Sequence, residues 1–110
     1  MLPKVFRISK NDLARNIHPA TVLKTVHFSL RIKKNDHTHP RFSVVVSKKV
    51  DKRAVGRNFL RRQTYGAVLP LIPSLTALDI IISVKKTGES LSPTMVEQEL
   101  TRALTPHLST

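Results

Sequence analysis

From Lys24 to Ile32 the chain alternates without a break, with Val26, Phe28, Leu30 and Ile32 on one face and Thr25, His27, Ser29 and Arg31 on the other. A period of two with one apolar face predicts a strand half covered by a core. Arg41 to Ser47, RFSVVVS, is rich in β-branched residues and follows the polar stretch KKNDHTHP, so it reads as a second strand that pairs with the first as a hairpin. Leu78 to Val84, LDIIISV, is a continuous apolar run, which suits the middle of a sheet covered on both faces.

Helical spacing appears in three places. Asn11 to Ile17 offers an Asn N-cap and sets Leu13 and Ile17 four apart, enough for about two turns. Near the C-terminus, Ser92 caps, Pro93 takes the first helical position, and Val96, Leu100, Ala103 and Leu104 form one stripe, with Glu97 and Glu99 leaving an acidic outer face. The third helix runs through Arg53 to Ala67, before Pro70 and Pro73 stop it. On a wheel of about 100° per residue, Arg53, Arg57, Asn58, Arg61, Arg62, Thr64 and Tyr65 fill one half and Val55, Phe59, Leu60, Gly66 and Ala67 the other. Phe59 could stack on a ligand, but that division favours core packing for it and leaves Tyr65 as the aromatic residue better placed to stack.

Charge changes the picture. The net charge is +12, and residues 1–62 hold sixteen Lys/Arg against three Asp/Glu, while the remainder is nearly neutral. A folded chain tolerates such self-repulsion when a polyanion relieves it, so nucleic acid is the leading partner. The excess peaks between Ser47 and Arg62, where Lys48, Lys49, Lys52, Arg53, Arg57, Arg61 and Arg62 face one acid, Asp51. Arg53, Arg57 and Arg61 align at i, i+4 and i+8, which destabilises an isolated helix. A merely solvated face would interleave acids, and guanidinium groups suit bidentate phosphate contacts. No basic segment carries the bulky apolar face of a membrane-surface helix. No run of about eighteen apolar residues and no signal-type N-terminus is evident, so one cytoplasmic domain over residues 1–110 is expected.

Candidate catalytic chemistry is sparse. With no cysteine there are no disulfides, thiolates or usual structural zinc sites. The seven carboxylates are scattered, the three glycines form no phosphate loop, and His37 and His39 beside Pro40 make a weak metal signal. No catalytic or metal-binding residue is therefore assigned to this chain. An autonomous nuclease using Asp36, His37 and His39 ranks far below an RNA-binding protein.

The segment VVVSKKVDKRAVGRNFLRR, followed by LDIIISVKKTG and preceded by LPKVFRISKNDL, resembles the bacterial ribonuclease P protein subunit, whose signature is a VSKK turn leading into a helix of the type AVxRNRxKR. The resemblance implies an α+β fold: a two-layer α-β sandwich of order α-β-β-β-α-β-α, with a four-stranded sheet, three helices and the basic helix in a left-handed βαβ crossover. It implies the small partner of a catalytic RNA in an endoribonuclease that removes the 5′ leader of precursor tRNA. Ribonuclease P RNA and precursor tRNA are then the partners, in a 1:1 complex, with Mg2+ belonging to the RNA-containing holoenzyme. The motif carries Arg57, Asn58, Arg61 and Arg62 onto RNA-contacting positions, with Lys48, Lys49, Lys52 and Arg53 leading in; Tyr65 joins them as the stacking candidate only by its place on the wheel. A leader cleft would be lined by Leu13, Ile17, Ser29 and Arg31; where the family prefers aromatics, Leu13, Ile17 and Arg31 imply less stacking and more phosphate contact. Gly56, Phe59 and Tyr65 depart from basic residues of the family. A structural RNA-binding protein, such as a ribosomal component, is the alternative that charge and pattern leave open.

Overall fold

In the computed structural model, which describes residues 4–8, 21–35, 37–85 and 92–107, four strands form one mixed sheet. They are β1 (Thr21–Lys24), β2 (Phe28–Lys34), β3 (Arg41–Val45) and β4 (Leu78–Val84), in the order β1-β2-β4-β3. The apolar run takes the inner position expected of it: β4 pairs antiparallel with β2 and parallel with β3, and every residue of it except Ser83 is buried.

The expected hairpin between the segments at 24–32 and 41–47 does not form, because β4 lies between them. Inserting the most apolar strand there covers both its edges and both its faces, which is where such a run is most stable. The hairpin is instead β1 with β2, in register Leu23↔Leu30 and Lys24↔Ser29. The alternation misleads because Thr25-Val26-His27 continues it through a turn. The Thr25 N–H donates to the Phe28 carbonyl at 2.8 Å and the Phe28 N–H to Thr25 Oγ1 at 3.1 Å, so the chain reverses there. Val26 is consequently 73% exposed and His27 is buried, the reverse of the predicted faces. β1 itself escaped notice since only Leu23 of its four residues packs inward.

Two helices, α1 (Ala54–Val68) and α2 (Pro93–Leu104), cover one face of the sheet and pack against each other. Phe28, Leu30, Phe42, Ile80 and Ile82 meet Val68, Val96, Leu100 and Leu104 in a single core. Each such side chain contributes roughly 1.5–3 kcal/mol on full burial. α2 follows its sequence: Ser92 Oγ accepts the Met95 N–H at 3.2 Å, Pro93 opens the first turn, and Val96, Leu100 and Leu104 are buried. α1 ends at Val68, where a 3-10 turn over Leu69–Ser74 accommodates Pro70 and Pro73. A parallel pair needs such a crossover, and α1 supplies it between β3 and β4. The helix expected at Asn11–Ile17 lies outside the described residues.

On the other face, Arg41 and Asp79 are partners in the β3–β4 register and form a buried ion pair, with Arg41 Nε and Nη2 donating at 2.9 and 2.7 Å. Asn35 Nδ2 adds a bond of 3.0 Å to Asp79 Oδ1. Two-point geometry plus a third donor offsets the desolvation that a buried pair incurs.

Candidate nucleic-acid interface

The basic segment is shaped by one carboxylate. After β3 the chain turns at Ser47, whose carbonyl accepts the Val50 N–H at 3.1 Å and the Asp51 N–H at 3.4 Å. This leaves Lys48 and Lys49 exposed. Asp51 then folds back over the start of α1: its Oδ1 accepts the Arg53 N–H at 2.9 Å and Arg53 Nε at 3.2 Å, and its Oδ2 accepts Arg53 Nη2 at 3.0 Å. Arg53 is the N-cap residue and makes no side-chain cap of its own, so Asp51 provides the negative charge that a helix N-terminus favours. The Arg53 side chain, then its backbone N–H, hold the Asp51 carboxyl below the usual range, and Asp51 raises Arg53 in return. Gly56 has its explanation here. A Cβ at that position would fall on the Asp51 carboxylate.

Each arginine of the predicted line makes a contact within the chain. Arg53 holds Asp51. Arg57 Nη1 donates to the carbonyls of Asp51 at 3.1 Å and Lys52 at 2.9 Å, bracing the turn from the first turn of the helix. Arg61 Nη1 donates to Asn58 Oδ1 at 2.6 Å. Carbonyls and an amide orient Arg57 and Arg61 without neutralising them. Lys52, Asn58 and Arg62 are exposed along with Lys48 and Lys49.

α1 is rotated by about a quarter turn from the face that hydrophobicity predicts. Gly56, Thr64, Ala67 and Val68 are buried, whereas Val55 is 79% and Phe59 60% exposed. Phe59 is therefore not a core residue. The error has a cause: polar residues on the packed side are satisfied locally, Thr64 by donating to the Leu60 carbonyl at 2.8 Å and Arg57 by the two carbonyls. Tyr65 is half-buried against the core, and its hydroxyl accepts the Val44 N–H at 3.2 Å, supporting the outer edge of β3.

Ser29 and Arg31 lie on the sheet face opposite Phe28, Leu30 and Ile32, as the alternation within β2 requires. The register aligns Lys24, Ser29 and Ser83 in one row and Val22, Arg31 and Ile81 in the next, with Lys33 beside Asp79. Leu13 and Ile17, which would form the opposite wall of the expected cleft, lie outside the described residues.

His37 and His39 serve the fold. His39 Nε2 donates to the Val5 carbonyl at 2.9 Å and its ring meets Phe6 edge-on at 5.5 Å, while His37 leans on His39 at 5.6 Å. No group of three or more His, Asp or Glu converges among the described residues.

One cluster had no cue in the sequence. His27 Nδ1 lies 2.7 Å from Glu99 Oε1, and Glu99 Oε2 accepts the His27 N–H at 2.9 Å and the Thr25 hydroxyl at 2.5 Å. Glu99 thus turns inward from the outer face assigned to it, tying the β1–β2 turn to α2, while Glu97 stays exposed. Burial pushes the Glu99 carboxyl up, but the bonds from His27 and Thr25 together outweigh it and hold the group below the usual range.

Comparison with known proteins bears on the family and the fold. The Ribonuclease P family model matches residues 2–107. The ribonuclease P protein component of Aliivibrio salmonicida is 38% identical over 66 residues, 60% of this chain and 56% of that protein. That of Xanthomonas campestris is 32% identical over 71 residues, 64% of this chain and 48% of that protein. The match thus spans about half the length of these curated relatives. Among solved structures, a Staphylococcus aureus RNase P protein mutant with defective mRNA degradation activity superposes with a TM-score of 0.82 at 25% identity, over 94% of this chain and 88% of that one. The Thermotoga maritima RNase P protein shares the fold, with a TM-score of 0.80 at 21% identity over 91% and 96% of the two chains.

Proposed function

The chain belongs to the ribonuclease P protein family, and from that premise we propose that it is the RNA-binding subunit of a ribonucleoprotein that removes the 5′ leader from precursor tRNA. The observation that carries this reading is the turn and first half of α1, where seven cations meet a single carboxylate and Arg57 and Arg61 are held in place by neutral oxygens. A prepositioned cationic surface loses little side-chain freedom when phosphates arrive, and counterion release supplies affinity. Lys48, Lys49, Lys52 and Arg62 contact phosphates directly in this reading. Arg53 and Arg61 join them by exchanging partners, Asn58 donates to sugar or phosphate oxygens, and Arg57 keeps the turn in shape. Tyr65 contributes through the β3 edge.

In this reading hydrolysis belongs to the partner RNA, with Mg2+ held there. The protein lowers the repulsion among leader, tRNA and catalytic RNA, which reduces the metal concentration needed for the folded complex. The basic rows of the sheet around Ser29 and Arg31, together with Leu13 and Ile17, receive the single-stranded leader mainly through phosphate contacts. The complex is 1:1 and cytoplasmic. Reconstitution with a ribonuclease P RNA tests this: precursor tRNA cleavage at low Mg2+ rises only when protein and RNA are both present. Cleavage by the protein alone would overturn it, and substrate affinity independent of leader length would remove the cleft.

A further inference from the structure

We infer that the groove between α1 and α2 beside Phe59 receives one unpaired nucleobase of the partner RNA, stacked on the Phe59 ring. This deepens the RNA-binding reading above and rests on it. The groove has a volume of about 510 Å3, in the range of small-ligand clefts. Phe59, Arg62 and Gly66 of α1 and Pro93 and Glu97 of α2 line it.

A lone exposed apolar side chain is ordinary, but two features here coincide. Phe59 is 60% exposed on a helix whose core face lies elsewhere. Gly66, seven residues on and so on the same side of α1, would place a Cβ in open space with nothing within 4 Å. Glycine weakens a helix interior relative to alanine, and neither neighbouring backbone nor side chain requires it at this position. At Gly56 the Asp51 carboxylate does require it. Together Phe59 and Gly66 leave a ring at one end of the groove and bare backbone at the other, with Gln63 and Ala67 between them, and so an open space beside the ring for a flat guest.

Charge selects the guest. Arg62 lines the groove, and it belongs to a segment, Ser47 to Arg62, whose cations outnumber its one acid seven to one, so the partner is anionic. Aromatic rings beside arginine are the usual platform for single-stranded RNA, with the ring taking the base and the guanidinium the phosphate. Glu97 faces the groove from α2 and only accepts hydrogen bonds when ionised. It excludes phosphate from that wall, so the base enters with its donor edge toward Glu97 and its backbone along Arg62.

The chain contains no tryptophan, so Phe59→Trp places a single tryptophan in the groove, which can be excited apart from Tyr65. Titration with a single-stranded oligoribonucleotide, and separately with a ribonuclease P RNA, quenches its emission, and the variant binds about as tightly as the parent. Phe59→Ala weakens binding roughly 5- to 150-fold, the range for removal of one base–aromatic stack, without changing the slope of log K against log salt. Unchanged emission at saturating oligoribonucleotide, or parental affinity in Phe59→Ala, overturns the inference. So does an emission shift that follows protein concentration alone, which would mean that a second copy fills the groove. Failure of the parent to stimulate precursor tRNA cleavage would instead count against the family-level function, with oligoribonucleotide quenching still deciding the role of Phe59.

Discussion

α1 and α2 cover the same sheet face, yet they are built by opposite rules. α2 has a serine cap, a proline at its first position, one apolar stripe that is fully buried, and Arg102 in its last turn. α1 has no basic residue in its last turn, a cap supplied by Asp51 from outside the helix, two internal glycines, and a phenylalanine turned to solvent. Local rules that agree with one another mark a helix whose task is packing. Where several are broken together, a second demand acts on the helix: within the chain it is the Asp51 turn, which fixes Gly56, and in the proposed reading it is RNA.

The contrast can be broken most severely at Leu100. It is fully buried, and Leu100→Ala should cost about 2–5 kcal/mol in urea denaturation while leaving the salt slope of RNA binding untouched in the folded fraction. The arginines of α1 divide next. Arg62→Ala should lower the salt slope by about 0.7–0.9 for each phosphate left without its cation, with an unchanged Tm. Arg57→Ala should lower both, because two carbonyl bonds go with it; a purely binding defect in Arg57→Ala would erase the distinction between them.

Each helix also carries one carboxylate held below its usual range, Glu99 on α2 and Asp51 ahead of α1. A depressed folded-state pKa gives stability that is complete above the unfolded value and lost as pH falls through the folded one. Stability should therefore decline below the ordinary carboxylate range. Glu99→Gln and Asp51→Asn should each remove a separate part of that decline, seen as shallower acid limbs in pH-dependent melting. The smallest effect separates the glycines. Gly66→Ala should stabilise by up to about 1 kcal/mol, and Gly56→Ala should fall short of that gain because the Asp51 carboxylate must move. Equal melting shifts for the two would mean that Asp51 does not shape the helix start.

Much of this was legible in advance. The strand at Leu78–Val84, the stop at Pro70 and Pro73, and the cap and buried stripe of α2 follow from composition and spacing, since each is decided by burial or capping within one segment. What failed was pairwise. Nothing in RFSVVVS says that its neighbour is a strand more than thirty residues ahead and not the one just behind, and nothing near His27 points to Glu99. The facing of α1 failed for a different reason. Hydrophobicity ranks Phe59 above Thr64 and Arg57 for burial, but hydrogen bonds to nearby carbonyls make the polar pair acceptable against the core. Gly56 could be noticed but not explained until the carboxylate of Asp51 was located beside it.

The position of β4 has a consequence for the order of events during synthesis. β2 and β3 are complete by residue 45, yet each keeps its inner edge unpaired until Leu78–Val84 joins them. At elongation rates of about 5–20 residues per second, the nascent chain spends roughly two to seven seconds with those two edges open, longer once passage through the ribosome is counted. The sheet then closes with the central strand entering last, and α1 is already present to guide it. Exposed strand edges are where chains pair wrongly, so the vulnerable period of this protein lasts until Leu78–Val84 has left the ribosome.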